Sequence, residues 1–447
     1  MRFPQSPPAW QPLMDRAVQQ GKAQACMEYS HERGLRATSY LHWNEFRHRV
    51  SDSSGKDGLT REEQWAAIRM SRAMRSQPMP LEDMGGRPFN FFLTSRAFEL
   101  LQEIDRQCGV ALPSAESAMV REEPGRYQFD SLSEEALTSS WLEGAVITRS
   151  EAREMMRSQR PPSTGHERMV MNNYRTMRLL DELKEERLTA EMIKRIHREV
   201  TAGTLEMPSH EGCFRKDSDR VRVEDESTGE VLHTPPPAAS LPGRMEKLCD
   251  FANQPGTNGF LHPVIRSIVL HFWMAYDHPF VDGNGRTARA LFYWSMLRSG
   301  YWLAGFLSIS HEILKAPKKY YTAFLHTETD GNDLNYFILH QLEIIVASIG
   351  SLHESVRAQK SGSENLRRKI SVSGDFNHRQ IALLQHALKH PSAQYTVVGH
   401  QNSHGTANQT AKNDLADLES KSLLQRGKKG KAFIYSPVTD LPSKLGL

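Results

Sequence analysis

Two apolar-periodic segments near the middle of the chain predict helices that are joined by a short polar loop. Apolar side chains recur at helical spacing through residues 264–277, and the same spacing resumes through residues 287–300. Pro279 ends the first helix and is expected to hold His278 in an extended conformation. The segment between them, HPFVDGNGRTAR (278–289), is therefore predicted to be a loop that leads into a helix N-terminus.

Helix-start patterns elsewhere predict a mainly helical chain. Residues 61–76 have helical character, and Thr94 is a predicted N-cap for the helix that follows it. The segments SLSE (131–134) and TRSE (148–151) both fit a capping box, and Gly144 can close the first of these helices. We therefore predict short helices with defined ends in this part of the chain.

The polar, β-prone stretch at 217–237 interrupts the helical pattern and predicts a hairpin or flap. The predicted fold is mainly α, with a helical core and this small β-hairpin. We divide the chain into a helical N-terminal accessory region (1–115), a second helical segment (116–187), the core (188–350), a polar linker (351–376) and a C-terminal winged-helix domain (377–447).

The winged-helix prediction comes from two helical segments followed by a basic turn and a short apolar strand. Residues 377–447 carry nine Lys or Arg against four Asp or Glu, a charge of +5 that leaves −2 for the remainder. Lysines and an arginine in this region could meet nucleic-acid phosphates: Lys412, Arg426, Lys428, Lys429 and Lys431. Carboxylates crowd the presumptive recognition helix, at Asp414, Asp417 and Glu419. DNA binding, protein docking and a plain solvated face therefore all remain open.

Composition narrows the class of protein. The chain has 447 residues, of which 38% are hydrophobic, and it contains no 18-residue apolar run that could cross a bilayer. Its start lacks the apolar core of a signal peptide. The four cysteines lack CxxC spacing, which argues against a zinc site or a disulfide framework. We expect a multidomain cytoplasmic protein without a membrane partner, and assembly into homo-oligomers is left open.

The loop at 278–289 collects residue types that suit phosphate chemistry. Gly283 and Gly285 let successive backbone N–H groups point into one concavity, where the helix dipole favours an anion. Asp282 is a hard oxygen ligand that suits Mg²⁺ shared with phosphate, and His278 can be neutral near pH 7 and accept a proton. Two further groups, Arg286 and Arg289, are spaced to reach one polyphosphate.

Each signal alone has an ordinary structural explanation, since a His-Pro pair is usually structural and GNG is most often a turn. Their combination favours function, because a structural turn does not need convergent charges. The residues alone therefore indicate a phosphoryl or nucleotidyl transfer site.

The segment HPFVDGNGRTAR resembles the signature HPFx[D/E]GNGRxxR of the Fic (Fido) family and matches it at every defined position. The resemblance extends over roughly residues 130–350. Within that range, IKRIHREV (193–200) is similar to the helix that opens the family's domain, and residues 212–223 are similar to its GxFR segment. LHTPPP (232–237) is similar to the family's target-docking flap, and KKYYTAF (318–324) to a later helix near the nucleotide.

The resemblance implies Mg²⁺-dependent transfer of AMP from ATP to a Ser, Thr or Tyr hydroxyl of a protein, with pyrophosphate leaving. It makes His278 the base and Asp282 the metal ligand. It implies a backbone anion cradle at Gly283, Asn284 and Gly285, with Asn284 also facing the α-phosphate. It implies that Arg286 and Arg289 contact the β- and γ-phosphates, and that Tyr321 contacts the adenine base of the nucleotide.

The same resemblance implies that the flap docks an extended target segment through Leu232, His233, Thr234 and Pro235. We expect His233 to face solvent rather than to act as a ligand. Glu328 occupies a position where some relatives have asparagine, a departure that bears on recognition of adenine.

The segment SSWLEG (139–144) resembles the family's inhibitory signature [S/T]xxxE[G/N], through Ser139, Glu143 and Gly144. A glutamate in the last turn of a helix is disfavoured by the helix dipole unless a cation pairs with it. We predict that Glu143 pairs with Arg289 and so restrains transfer; the alternative is a solvated surface carboxylate. In relatives the same glutamate can help to remove AMP from a modified target.

The sequence therefore predicts a self-inhibited protein adenylyltransferase. Three alternatives stay open: removal of AMP from modified targets, transfer of a different group from a different donor, and a transcription-associated protein that senses nucleotide without turnover. The presence of His278 argues against the sensor, because a sensor needs the phosphate cradle but no base.

Overall fold

A computed structural model of the chain describes residues 3–35, 40–50, 58–108, 115–122, 124–225, 227–253, 259–369, 376–391, 393–429 and 432–445. Helices make up 66% of the structure, and the strands in these ranges form separate two-stranded antiparallel pairs. The prediction of a mainly helical protein with a small hairpin is confirmed.

The N-terminal region is helical with one early hairpin. Both predicted helices are present, because Thr60 and Glu63 cap the first in a capping box and Thr94 accepts from the N–H of Ala97 at the start of the second. The hairpin between them was not predicted. The elements are α1 (Trp10–Gln19), α2 (Ala23–Tyr29), α3 (Trp43–Arg49), α4 (Arg61–Arg75), β1 (Gln77–Glu82), β2 (Pro88–Phe91) and α5 (Ser95–Cys108).

The second helical segment contains α6 (Ala115–Glu122), α7 (Pro124–Leu142), α8 (Arg149–Ser158) and α9 (Gly165–Leu183). The predicted capping box at Thr148 begins α8. The box predicted at 131–134 is wrong, because these residues lie inside α7. Tyr127 and Phe129 are buried one turn earlier, so packing of the first turn of α7 extends the helix past the local cap signal.

The core surrounds α12 and α13, which pack on each other and carry fully buried aromatic side chains such as Trp273 and Trp294. Burial of such large side chains is the main source of stability in this region. The elements are α10 (Ala190–Thr201), β3 (Val223–Glu224), β4 (Val231–His233), α11 (Leu241–Asn253), α12 (Pro263–Asp277), α13 (Asn284–Arg298), α14 (Ile309–Lys315), α15 (Pro317–Thr329) and α16 (Asn335–Lys369).

Most of the stretch predicted as a linker, 351–376, is not a linker in the structure. Helix α16 continues to Lys369, and residues 370–375 lie outside the described residues. Leu352 and Val356 are buried against the core, so the polar composition of this stretch concealed one apolar stripe that keeps the helix docked.

The C-terminal region has its own apolar core, which includes Leu384, Leu415, Leu418 and Leu424. Both predicted helices and the hairpin are present, whereas α18 was not predicted. The winged-helix classification stays a prediction. The elements are α17 (His378–Lys389), α18 (Val397–His404), α19 (Asn408–Ser420), β5 (Leu424–Lys429), β6 (Ala432–Pro437) and α20 (Leu441–Lys444).

In the ranges that the structure describes, none of the helices combines the length and the apolar character that a membrane span requires.

Candidate active site

The loop between α12 and α13 begins with a left-handed residue. His278 has φ 46° and ψ 55°, so the expected extended conformation is wrong. The Arg215 guanidinium explains the difference, because it donates to the carbonyl oxygens of His278 (2.8 Å) and Asp277 (3.3 Å), and the Arg215 N–H donates to Pro279 O. A left-handed non-glycine residue costs about 1–2 kcal/mol, which these contacts offset.

The His278 side chain is held in one tautomer. Its Nδ1 lies 3.2 Å from the carbonyl oxygen of Ala275; a carbonyl only accepts, so Nδ1 carries the proton. Burial lowers the pKa of His278 to about 4, against the raising effect of the Ala275 carbonyl. The imidazole is therefore neutral at pH 7, and its Nε2 lone pair can accept a proton.

The Asn284 side chain closes the loop on itself. Its Oδ1 accepts from the N–H of Phe280 and its Nδ2 donates to the carbonyl oxygen of Phe280, both at 2.9 Å, and the residue is 2% exposed. We expected Asn284 to face an α-phosphate. Its amide is instead engaged in both directions by the loop backbone, which gives it a positioning role.

His197 supports the loop from α10. Its ring stacks on Phe280 with a centroid distance of 3.6 Å, its Nε2 lies 2.8 Å from the carbonyl oxygen of Asp282, and its Nδ1 accepts from the N–H of Gly212 at 2.9 Å. Burial lowers the pKa of His197 to about 4, which favours the neutral ring that this pair of bonds requires. His197 was not predicted to have a role, although it lies within IKRIHREV (193–200).

The two glycines of the loop sit where a side chain could not. Gly283 has φ 79°, and a Cβ there would lie 2.6 Å from Cγ2 of Thr201. A Cβ on Gly285 would lie 2.3 Å from Oε1 of Glu143. The two glycines therefore let Thr201 and Glu143 pack directly against the backbone at the N-terminus of α13, a kind of helix end that binds phosphate in many proteins.

The Asp282 carboxylate lies at the edge of this cradle. Its side chain is 53% exposed, its Oδ1 accepts from the N–H of Gly283, and its Oδ2 lies 3.4 Å from Arg286. The described residues contain no group of three or more His, Cys, Asp or Glu that could hold a metal ion. One exposed carboxylate beside a phosphate cradle does fit Mg²⁺, because this ion usually takes one or two carboxylates together with phosphate oxygens.

The structure brings Arg289 together with Ser139 and Glu143 of the proposed inhibitory motif. Arg289 Nε donates to Ser139 Oγ at 2.9 Å, and its NH2 group donates to Ser139 O at 3.1 Å and to Glu143 Oε1 at 2.8 Å. The Arg289 side chain is 3% exposed and that of Glu143 is 23% exposed. Such a desolvated pair is held much more firmly than a surface ion pair.

Glu143 caps the C-terminus of α7 immediately before Gly144, whose φ is 82°. The N–H of Gly144 donates to Trp141 O and the N–H of Ala145 donates to Ser140 O, as in a Schellman motif. Gly144 thus closes α7 as predicted. Burial would raise the pKa of Glu143, but the charges of Arg289 and Arg286 outweigh it and the pKa lies below its usual value.

Arg286 has different contacts from Arg289. Its NH1 group donates to Val200 O at 3.2 Å, and its NH2 group reaches Asp282. The guanidinium is fully buried, and burial lowers the pKa of Arg286. Arg286 therefore ties the loop to α10 in this structure, and contacts of both arginines with a polyphosphate remain a prediction.

The flap is an antiparallel hairpin in which Val223 pairs with His233. His233 does not face solvent as expected, because its Nδ1 lies 2.8 Å from Glu328 Oε2 and its Nε2 lies 2.7 Å from Tyr276 O. Burial would lower the pKa of His233, but the Glu328 carboxylate raises it. The flap is thus anchored by an ion pair to α15.

The remaining residues that were predicted to dock a target or to contact the nucleotide differ in their exposure. Thr234 is exposed, Leu232 is half-buried and Pro235 is buried. Tyr321 is 37% exposed and its ring packs edge-on against Tyr320. Contact of Tyr321 with the adenine base stays a prediction.

Comparisons with known proteins find a matching family and several relatives. A model of the Fic/DOC family matches residues 187–296. By sequence, the chain is 34% identical over 118 residues to the protein adenylyltransferase Fic of Nematostella vectensis, and 38% identical over 69 residues to that of Drosophila willistoni. These matches cover 26% and 15% of this chain, and 25% and 14% of the relatives. The chain thus matches about a quarter of the relatives' length or less.

Solved structures to which the chain is similar include a Fic family protein from Desulfovibrio desulfuricans G20, with a TM-score of 0.48, 17% identity, and coverage of 78% of this chain and 97% of the other. Fic-1 from C. elegans has a TM-score of 0.47, 18% identity, and coverage of 79% and 90%. The family match contains the whole loop and the helix on each side of it up to residue 296. The chain therefore carries a domain of the Fic/DOC family at residues 187–296.

Proposed function

We propose that this protein is an adenylyltransferase that moves AMP from ATP to a Ser, Thr or Tyr hydroxyl of a target protein. The observation that carries the proposal is the neutral His278, whose Nδ1 is anchored to Ala275 O and whose Nε2 is left as the acceptor beside the backbone cradle of α13. The names of the relatives, protein adenylyltransferase Fic, support the same class of reaction.

The reaction requires one base and a site for polyphosphate. The hydroxyl oxygen of the target forms a bond to the α-phosphorus of ATP while His278 Nε2 takes the hydroxyl proton. The bond between the α-phosphorus and the oxygen bridging to the β-phosphate breaks, and pyrophosphate leaves with that electron pair. A positioned base contributes about 10²–10⁴-fold to such a step.

Asp282 would hold Mg²⁺, which supplies positive charge to the phosphate oxygens when it is bound. The backbone of residues 283–285 would bind phosphate oxygens at the helix N-terminus. Arg286 and Arg289 would hold the β- and γ-phosphates, and the hairpin at 223–233 would align an extended target segment by backbone pairing.

The proposal includes self-inhibition, because Glu143 and Ser139 occupy the donors of Arg289 that a γ-phosphate would need. Separating Glu143 from Arg289 leaves both charges partly desolvated unless a phosphate replaces the carboxylate, so the closed state is favoured. Wild-type protein is therefore expected to transfer slowly until α7 shifts.

The test is incubation with Mg²⁺ and ATP labelled on the α-phosphate, followed by measurement of label on the protein itself and on added lysate proteins. We expect Glu143→Gly to label faster than wild type, and Glu143→Gly/His278→Ala to lose at least about a hundredfold of that rate. Glu182→Gly is the matched control, since it places the same substitution at an exposed carboxylate in the last turn of α9, away from α7. Equal labelling with and without His278 would refute the proposed transfer, and equal rates for wild type and Glu143→Gly would refute the inhibition.

A further inference from the structure

One face of α19 in the C-terminal region is exposed and takes no part in the proposed transfer. Helices α18 and α19 are joined by residues 405–407 only, a short connection of the kind found between the two helices of DNA-binding helix-turn-helix proteins. The exposed residues on the first turns of α19 are small or polar: Asn408, Gln409, Lys412, Asn413 and Ala416. Residues four apart lie on the same side of a helix, so these side chains form one surface, here named the α19 face.

The sequence places three carboxylates on α19, which would repel phosphate if they lay on this face. Asp414 does not, because it is 4% exposed and accepts from Arg379 Nε at 2.6 Å, from Asn377 Nδ2 at 2.7 Å and from His400 at 3.1 Å. Burial would raise the pKa of Asp414, but these hydrogen bonds hold it far below its usual value. Its charge is therefore neutralised inside the C-terminal core.

The other carboxylates of the region are also paired. Asp417 accepts from Gln380 and Lys421, at 2.8 and 2.7 Å, and Glu419 lies 3.3 Å from Arg426. Asp440 lies 3.3 Å from Lys444. Each of the four acidic residues is thus paired with a basic residue. The net charge of +5 in residues 377–447 corresponds to the five remaining basic residues, which are Lys389, Lys412, Lys428, Lys429 and Lys431. Of these, Lys431 and the side chains of Lys389 and Lys429 lie outside what the structure describes.

The hairpin β5–β6 lies beside α19 and carries part of this charge. Arg426 reaches back from β5 to Glu419 of α19, and both Arg426 and Lys428 lie over the ring of Phe433, at 4.9 and 5.6 Å from its centroid. The Phe433 ring is 48% exposed. Cation–π contacts of this kind hold cationic side chains at a surface without neutralising them.

We propose that the α19 face binds duplex DNA in the major groove, with the hairpin β5–β6 on the phosphate backbone. Asn and Gln side chains present an adjacent donor and acceptor that match the edge of adenine, and Lys412 supplies a phosphate or guanine contact. The small Ala416 allows the helix to approach the bases closely. A protein-docking helix is expected to carry large apolar or aromatic anchors, and the exposed residues of α19 include none.

The test uses the full chain and random-sequence 20-bp duplexes. We expect repeated selection to enrich a defined sequence, and affinity for it to fall steeply with salt. Lys412→Ala/Lys428→Ala should make the slope of log K against log salt about 2 smaller in magnitude, since each phosphate contact contributes roughly 0.9. Gln409→Ala/Asn413→Ala should lower the preference for the selected sequence over random duplex by at least about tenfold while keeping the salt slope.

Lys184→Ala/Lys194→Ala is the matched control, because it removes one lysine directly after α9 and one from α10 and should change neither quantity. His278→Ala should bind the selected duplex with the affinity of wild type. A failure of the proposed AMP transfer can therefore be told apart from a failure of the proposed DNA binding. Equal binding to single-stranded DNA and duplex, an unchanged salt slope in Lys412→Ala/Lys428→Ala, or the absence of any enriched sequence would each overturn the proposal. Retained thermal stability of each variant shows that the α19 face, rather than folding, was changed.

Discussion

His197 connects three parts of the site through a single neutral ring. Its stacking on Phe280 places the ring under the loop, and its two nitrogens hold the Asp282 carbonyl and the Gly212 N–H. The carbonyl of Asp282 immediately precedes the proposed phosphate cradle. The position of that cradle therefore depends on a residue that contacts no phosphate itself.

Replacing this ring by one of similar shape separates packing from hydrogen bonding. His197→Phe keeps a flat ring against Phe280 but leaves the Gly212 N–H and the Asp282 carbonyl without their ring partner, at a cost of about 1–3 kcal/mol for a buried group. In the Glu143→Gly background we expect KM for ATP to rise roughly tenfold, with a lower melting temperature. His166→Phe, at an exposed position of α9, is the control. An unchanged KM in His197→Phe would show that the ring nitrogens do not position the cradle.

At the scale of elements, α7 is attached to the core along one side. Glu135, Ser139 and Glu143 are four residues apart and so share one side of the helix. Glu135 is 1% exposed and accepts from Ser308 Oγ, Ser310 N and Ser310 Oγ, at 2.9, 3.0 and 2.6 Å. Burial raises the pKa of Glu135 although these donors lower it. The anchor sits two turns before the pair between Glu143 and Arg289.

Weakening the anchor should therefore weaken the proposed inhibition. Ser310→Ala removes one hydrogen bond from a buried carboxylate and costs about 1–3 kcal/mol. We expect Ser310→Ala alone to transfer label several-fold faster than wild type. In the Glu143→Gly background, Ser310→Ala should not increase the rate of label transfer further. Ser351→Ala, which removes a hydrogen bond to Glu312 outside α7, is the comparison. An equal gain in both backgrounds would mean that α7 acts on the site without Glu143.

Across the whole molecule, the C-terminal region packs on the beginning of α7. A Cβ on Gly125 would lie 2.3 Å from the carbonyl oxygen of His404, and a Cβ on Gly405 would lie 2.9 Å from the Cα of Gly125. The backbones of α7 and of the connection from α18 to α19 are therefore in direct contact. The helix that carries Glu143 thus lies between the proposed DNA-binding region and the proposed catalytic site.

The protein as a whole should lose stability in mild acid. Burial lowers to about 4 the pKa values of four histidines, His197, His278, His326 and His340. Unfolding returns each to about 6.5, so the unfolded chain binds more protons between these values and stability falls as pH drops from 6.5 to 4. His233 and Asp277 act in the opposite direction, because the Glu328 carboxylate raises the pKa of His233 and burial raises the pKa of Asp277 to about 6.

We therefore expect the melting temperature to fall steadily from pH 7 to pH 5, with net proton uptake on unfolding measured by calorimetry in buffers of different ionisation enthalpy. His197→Phe should show a shallower fall than wild type because one of the histidines with a lowered pKa is gone. A melting temperature that stays constant over this range would contradict the neutral state of these histidines.

Some features of this protein follow from short stretches of sequence. The helices around the loop, the caps at Thr94 and Thr148, and the clustering of His278, Asp282 and the glycines depend on residues that are neighbours along the chain. Helical periodicity and capping depend on neighbouring residues, so they can be predicted without a structure. The pair between Glu143 and Arg289 was predicted from the motif and the helix dipole, because a carboxylate at a helix C-terminus needs a cation.

Other features were decided by contacts between distant residues. The left-handed His278 depends on Arg215, 63 positions away, and the anchored His233 depends on Glu328, 95 positions away. The burial of Asp414 depends on Arg379 of another helix, and α7 runs through its apparent cap because its first turn packs on the core. In each case the backbone or side chain adopts the state that satisfies a buried polar group. The sequence alone does not show which groups are buried together, so only the tertiary structure settled these positions.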